Sequence, residues 1–215
     1  MWLNKKTLTT LLLAVLTVAS VMPAQSFAAT PLQQGSANSD VWDLQYRLQL
    51  LGFYHDKLDG IYGKNTLYAV KQFQKNYGLS ADGIVGNRTW SVLKKVSVNR
   101  TEMQLLAQLV YSEARGESYE GQVAVAAVAM NRLQSADFPD TIKGIIFEPY
   151  AFTAVDDGQF WLTPNATAYK AVWDAVRGWD PTNGALYYFN PDTATSGWIW
   201  TRPQIKKIGK HIFAR

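Results

Sequence analysis

The 215-residue chain has no cysteine and only two histidines. The first absence removes disulfide frameworks, cysteine nucleophiles and thiolate metal sites. The second leaves His55 and His211 as the sole imidazoles, too few for a multi-histidine zinc centre. Charge is sparse as well. Charged residues make up 18% of the chain against 47% hydrophobic, which excludes a disordered polymer and fits a globular protein. The length accommodates one large domain or two small ones.

Part of the formal +4 charge sits in a leader. Lys5 and Lys6 precede an apolar run from Leu8 to Val21, and Ser26 and Ala28 supply the small residues of a cleavage site. This layout predicts a signal peptide over 1–28, removed after Ala28. An uncleaved anchor fits less well. The run is broken by Thr, Ser and Pro23 and falls short of the roughly 20 residues a membrane span needs. Without the leader, 19 basic residues face 17 acidic ones, a net +2. No basic footprint for nucleic acid remains, and no stable membrane span. Export without disulfides suits a cell that secretes directly into a wall.

What remains divides into a polar arm over 29–38, a first module over 39–95 and a second over 100–215, with a seam near 94–99. The first module holds eight basic and five acidic residues, and the stretch 96–215 holds eleven and twelve. In the first module Val41, Leu44, Leu48 and Leu51 form a helical apolar stripe stopped by Gly52. Leu67, Val70 and Phe73 form a second, stopped by Gly78, and Trp90 and Leu93 mark a third. A phrase recurs before the second and third helices. It is Asp59-Gly60-Ile61-Tyr62-Gly63-Lys64-Asn65-Thr66, then Asp82-Gly83-Ile84-Val85-Gly86-Asn87-Arg88-Thr89. Asp-Gly supplies a turn with φ > 0, the later glycine a second bend, and Thr a helix cap. This doubled phrase resembles the small three-helix peptidoglycan-binding domain of cell-wall hydrolases. The phrase itself reads as turn chemistry that builds the fold; binding is what the resemblance implies. Tyr54 and Tyr62 fit either a sugar-stacking surface or the core.

The second module opens with a capping box, Asn99 as cap and Glu102 three residues on. In the helix that follows, Leu106, Leu109 and Val110 define a buried stripe, and Glu113 falls on it. A carboxylate on an apolar face is costly unless paired or protonated. Burial raises its pKa, which suits a glycosidase general acid. The competing reading is a glutamate paired with a base or lying at a frayed helix end. Arg115 lies on a different face and is not an automatic partner. An Ala- and Val-rich helix over 121–133 is built to pack closely, with Asn131-Arg132 beginning its polar exit. A further helix over 165–177 buries Ala168, Ala171, Val172 and Ala175. Spacing puts Trp173 in the core. Trp161, Trp198 and Trp200 fit either a sugar-stacking groove or loop anchors.

The runs Tyr111-Ser112-Glu113-Ala114-Arg115-Gly116-Glu117 and Gly121 to Arg132 resemble the SleB-like cell-wall hydrolase family of spore cortex-lytic enzymes. The likeness continues through Phe152-Thr153, Tyr188-Phe189-Asn190-Pro191 and Ile208 to Phe213. It implies a mainly α protein, with the three-helix binding domain followed by an α+β lysozyme-like catalytic domain related to lytic transglycosylases. It implies Glu113 as the catalytic acid, with Glu117 structural or substrate-orienting and Tyr188 and Asn190 positioning substrate. Phe152 and Trp198 complete the expected substrate-binding set. The implied reaction cleaves the β-1,4 bond after N-acetylmuramic acid, closing a 1,6-anhydro ring, on spore cortex or wall. The expected partner is the peptidoglycan strand, met by a secreted monomer without metal or cofactor. A muramidase-type hydrolase of the vegetative wall, or a non-catalytic wall binder, stands as the alternative. A zinc amidase would have to work with His211 as its only local imidazole and no HExxH run.

Overall fold

The computed structural model describes residues 30–215, so the expected signal peptide lies outside the described residues. Three helices make the first module: α1 (Ser39–Leu50), α2 (Lys64–Asn76) and α3 (Asn87–Val96). They enclose a core of Val41, Leu44, Leu48, Val70, Phe73 and Leu93. Tyr54 and Tyr62 belong to this core too, which decides between their two readings. The polar arm is bound in. Leu32 pairs with Val85 and Ala37 with Ile61, so the arm crosses both repeated turns.

The repeated phrase works through a glutamine that the turn pattern alone does not reveal. Gln45 Nε2 donates to Asp59 Oδ1 (2.8 Å), the Ile61 carbonyl (3.0 Å) and Thr66 Oγ1 (3.1 Å). Its Oε1 accepts from the Asp59 and Gly60 amides. Gln74 repeats the arrangement on Asp82, Ile84, Thr89 and the Gly83 amide. Gly60 and Gly83 adopt positive φ as expected. Thr66 and Thr89 do not cap their helices. The caps are Gly63 and Gly86, in extended backbone, and each threonine sits two residues further in than the first helical residue, bonding the glutamine.

The second module is built around α4 (Arg100–Ala114) and α5 (Tyr119–Gln134). The Asn99–Glu102 capping box forms as read, with Glu102 N to Asn99 Oδ1 at 2.8 Å and Asn99 N to Glu102 Oε2 at 2.7 Å. Every residue from Gly121 to Met130 is buried. Such a helix needs partners all round. Helix α4, a short α6 (Ile142–Ile146), α8 (Ala166–Val176) and α3 supply them, while α7 (Thr153–Asp156) and a 3₁₀ turn (Gln159–Trp161) pack on α4. A one-turn α9 (Gly197–Trp200) follows the strand β1 (Tyr187–Phe189). With β2 (Gln204–Ile208) and β3 (His211–Ala214) it gives an antiparallel sheet of order β1-β3-β2. Ala124 and Val128 of α5 pack under this sheet, against Ile208 and Phe213.

Two expectations fail here. Arg132 is no polar exit; it is 5% exposed, donating Nε to the Leu186 carbonyl (2.7 Å) among the rings of Phe138, Phe152 and Tyr187. Trp173 is not core but 39% exposed. Both depend on which helix packs where, which spacing along one helix does not encode.

The modules meet without a linker. Arg47, buried in α1, donates to Asp43 (3.0 Å), to the Ser97 carbonyl (2.9 Å) and to Glu102 (3.0 Å). Arg177 reaches back to the Leu50 carbonyl (2.9 Å), and Leu50 itself joins the second core. Replacing Arg47 with Met keeps the stem but removes three charge-assisted bonds. The expected loss is about 2 kcal/mol, with one unfolding transition separating into two, checked by urea denaturation.

Candidate active site

Glu113 occupies the last turn of α4, on the stripe that buries Leu109 and Val110. Its carboxylate is half-buried and bridges two elements. The Ala154 amide, in the first turn of α7, donates to Oε1 at 2.8 Å. The Tyr188 hydroxyl, from β1, donates to Oε2 at 3.1 Å. The residue before α7, Phe152, offers no side-chain cap, so Glu113 satisfies an amide that a cap would otherwise take.

Burial pushes Glu113 above the ordinary carboxylate range; its two hydrogen bonds pull the other way, and the charge of Asp157 pushes up again. Burial comes first, so Glu113 holds its proton more tightly than a free glutamate does. Tyr188 is raised well above its ordinary value by burial and by Glu113, so it stays a donor.

Phe152, a buried ring, packs 6.2 Å from Tyr188. His211 meets Tyr188 edge-on at 5.1 Å from the facing strand. Burial draws His211 below its ordinary pKa, with Glu117 opposing and Lys210 adding to the effect. Glu117 lies past the end of α4, where Oε2 accepts the Lys210 amide (3.1 Å) in the β2–β3 turn. Gly209 makes this approach possible, since a side chain there would collide with the Glu117 carboxylate.

Glu113, Phe152 and Tyr188 are therefore brought together, with Glu117 on the hairpin beside them. Asn190 and Trp198 have other partners. Asn190 Oδ1 accepts the Asp192 amide (3.0 Å) in the turn after β1. Trp198 stands edge-on to Tyr187 at 5.2 Å, under Arg202, and Tyr187 leaves β1 on the face opposite Tyr188. Trp161 and Trp200 are exposed in short helical turns rather than open loops. Sequence reasoning missed the Ala154 amide and Asp157. The Phe152-Thr153 pair flags that segment, but a backbone donor has no residue signature. Among the described residues no cluster of three or more metal-ligating side chains occurs.

Comparison with known proteins gives the site its context. A family described as Cell Wall Hydrolase matches residues 116–214, beginning just past Glu113, and a peptidoglycan binding domain matches 37–93. The spore cortex-lytic enzyme of Bacillus cereus is 48% identical over 229 aligned positions, covering 89% of this chain and 88% of that protein. The chain belongs to the spore cortex-lytic enzyme family. The member from Oceanobacillus iheyensis is 46% identical, with 88% of this chain and 89% of that one covered. Two solved structures are similar to the second module, each 69% identical with a TM-score of 0.53 over 55% of this chain. They are the catalytic domain of the Bacillus cereus SleB protein (93% covered) and that of the germination-specific lytic transglycosylase SleB from Bacillus anthracis (97% covered).

The raised pKa of Glu113 has a consequence for stability. The unfolded chain releases this proton near the ordinary value of 4.5, whereas the folded protein holds it longer. Stability linked to the neutral form is thus complete below that value and is lost as pH rises through the folded pKa. Glu113→Gln, permanently neutral, should melt higher than the parent at pH 7. The gap should close below about pH 4, as read by thermal melts across pH.

Proposed function

We propose that this member of the family cleaves peptidoglycan strands of spore cortex or wall as a lytic transglycosylase, with Glu113 as the single catalytic carboxylate. The observation that carries this reading is the half-buried Glu113 carboxylate, held by the Ala154 amide and the Tyr188 hydroxyl. The neutral acid gives its proton to the leaving glycosidic oxygen as the bond from C1 of the muramic residue breaks. The resulting carboxylate takes the proton of the C6 hydroxyl while O6 bonds to C1. The product is a 1,6-anhydro ring, and no water is consumed. One group acting first as acid and then as base suffices, whereas hydrolysis by two carboxylates needs a second one at a set distance. Glu117 is a poor second, because its oxygen already serves the hairpin turn.

Phe152 and Tyr188 form one wall of the substrate cleft in this reading. Asn190 shapes the loop that follows β1, and Trp198 offers an exposed ring further out. Residues 39–95 hold the wall and 100–215 cut it. The leader 1–28 directs export, and the enzyme works as a secreted monomer at the wall or cortex.

Glu113→Gln should lower release of soluble fragments from purified cortex or sacculi by roughly 10²- to 10⁴-fold. Mass spectrometry should find anhydromuramic ends in the parent's products. Retained activity in the variant would refute the role of Glu113, and reducing ends without anhydro forms would establish hydrolysis. The rate should also fall as pH rises past the raised pKa of Glu113, since the acid form starts the reaction. Tyr188→Phe, which removes a bond that favours the carboxylate, should shift this limb to higher pH.

A further inference from the structure

A cavity of about 410 Å³ opens at the seam between the modules, lined by Tyr46, Arg100, Met103, Gln104, Tyr169 and Trp173. It lies at the start of α4, whereas Glu113 lies at its end, roughly 15 Å away at 1.5 Å per residue. A shallower hollow continues along α8 past Lys170 and Asp174. Neither takes part in the reaction described above.

The lining has a definite chemistry. One wall is Tyr46 of α1, with Trp42 stacked on it at 5.5 Å and nearly parallel. The other is Tyr169 and Trp173 of α8, both more than a third exposed although the opposite face of α8 is core. Hydrogen-bonding groups edge these rings: Arg100 and Gln104 at one end, Lys170 with Asp174 at the other. Arg100 makes no ion pair among the described residues.

The walls also come from different modules and are fixed relative to one another. Arg177 donates to the Leu50 carbonyl across the seam, and its guanidinium lies 5.5 Å from the centre of the Trp173 ring. The contact that closes the seam therefore also backs the ring that lines the groove.

Flat aromatic faces edged by amide, hydroxyl and charged groups match a sugar ring, which has apolar C–H faces and a polar rim. An unpaired cation beside them matches a strand that carries carboxylates. We propose that this groove is a second glycan-binding site. It takes an N-acetylated peptidoglycan strand whose sugar faces lie on Trp173, Tyr169 and Tyr46 and whose muramic carboxylate meets Arg100. The choice of strand rests on the peptidoglycan reading given above; the groove itself is independent of Glu113.

The test uses the full chain with Glu113→Gln, so that bound strands stay intact. Two probes separate the terms: peptide-free peptidoglycan strands, which carry free lactyl carboxylates, and an N-acetylglucosamine tetramer, which carries none. Calorimetry should find that Trp173→Ala with Tyr169→Ala weakens both by about tenfold or more. Trp173→Phe should keep most of the affinity. Arg100→Glu, at an exposed first-turn position that accepts an acid well, should weaken the strands and their salt dependence while sparing the tetramer. With Glu113 restored, these variants should cleave short soluble strands at the parental rate. Unchanged strand affinity in the double variant overturns the proposal. So does a change in self-association by ultracentrifugation, which would assign the groove to a second copy of the chain. If the double variant fails to fold, unchanged strand binding by Arg100→Glu decides against the site. A failure of the catalytic reading would appear elsewhere, as cleavage retained by Glu113→Gln.

Discussion

The candidate active site depends on one carboxylate shared between two donors. Glu113 arrives on α4, the Ala154 amide on α7 and the Tyr188 hydroxyl on β1, and no pair of these is adjacent in the sequence. Each donor favours the charged carboxylate, whereas burial disfavours it, and burial dominates. A group with opposing influences of similar kind is suited to hold a proton and then take one back. An unburied glutamate would give up its proton more readily. A buried one without donors would have no fixed direction in which to aim its proton.

That convergence requires α5 to hold α4 and the sheet at once. A helix of small and β-branched residues, buried from Gly121 to Met130, lets its neighbours approach closely on every side. Ala124 and Val128 receive the sheet, while other faces meet α4 and α8. Asn131 adds a polar tie, bonding Asp180 and the Ala185 carbonyl in the loop that leads to β1. Glu117 adds another at the hairpin. The residue just past α4 thus steadies the sheet that presents Tyr188, which is a positional rather than chemical reason for a second glutamate so near the first.

Local signals in the sequence carried the helices. The stripes of α1, α2 and α4, the Asn99–Glu102 box and the glycines after α1 and α2 each depend on residues within a turn or two. The burial of Glu113 was legible because its anomaly, a charge on an apolar stripe, is also local. Arg132 was misread for the complementary reason. A cation near a helix end looks like a route to solvent, but the rings that enclose it come from distant segments. Gln45 and Gln74 stayed hidden because each sits beside an apolar residue on its helix and its partners in the repeated phrase lie 14 to 21 and 8 to 15 residues later, respectively. The doubled Asp-Gly phrase showed that something was repeated without showing what it bonded to.

The seam follows the same logic at a larger scale. A polymer substrate rewards a second contact only when geometry allows both contacts at once. Here the modules are joined through side chains that serve two purposes. Arg47 links α1 to the cap of α4 through Glu102, which is itself part of the capping box. Leu50 ends α1 and enters the second core. Rotating one module against the other would strip Glu102 of a partner, uncover Leu50 and release Arg177 from its carbonyl. Those losses compound, because they involve buried or partly buried groups that would be left without replacements. The first module therefore contributes a fixed surface next to α4, and the start of that helix is built into the seam while its end carries the half-buried Glu113.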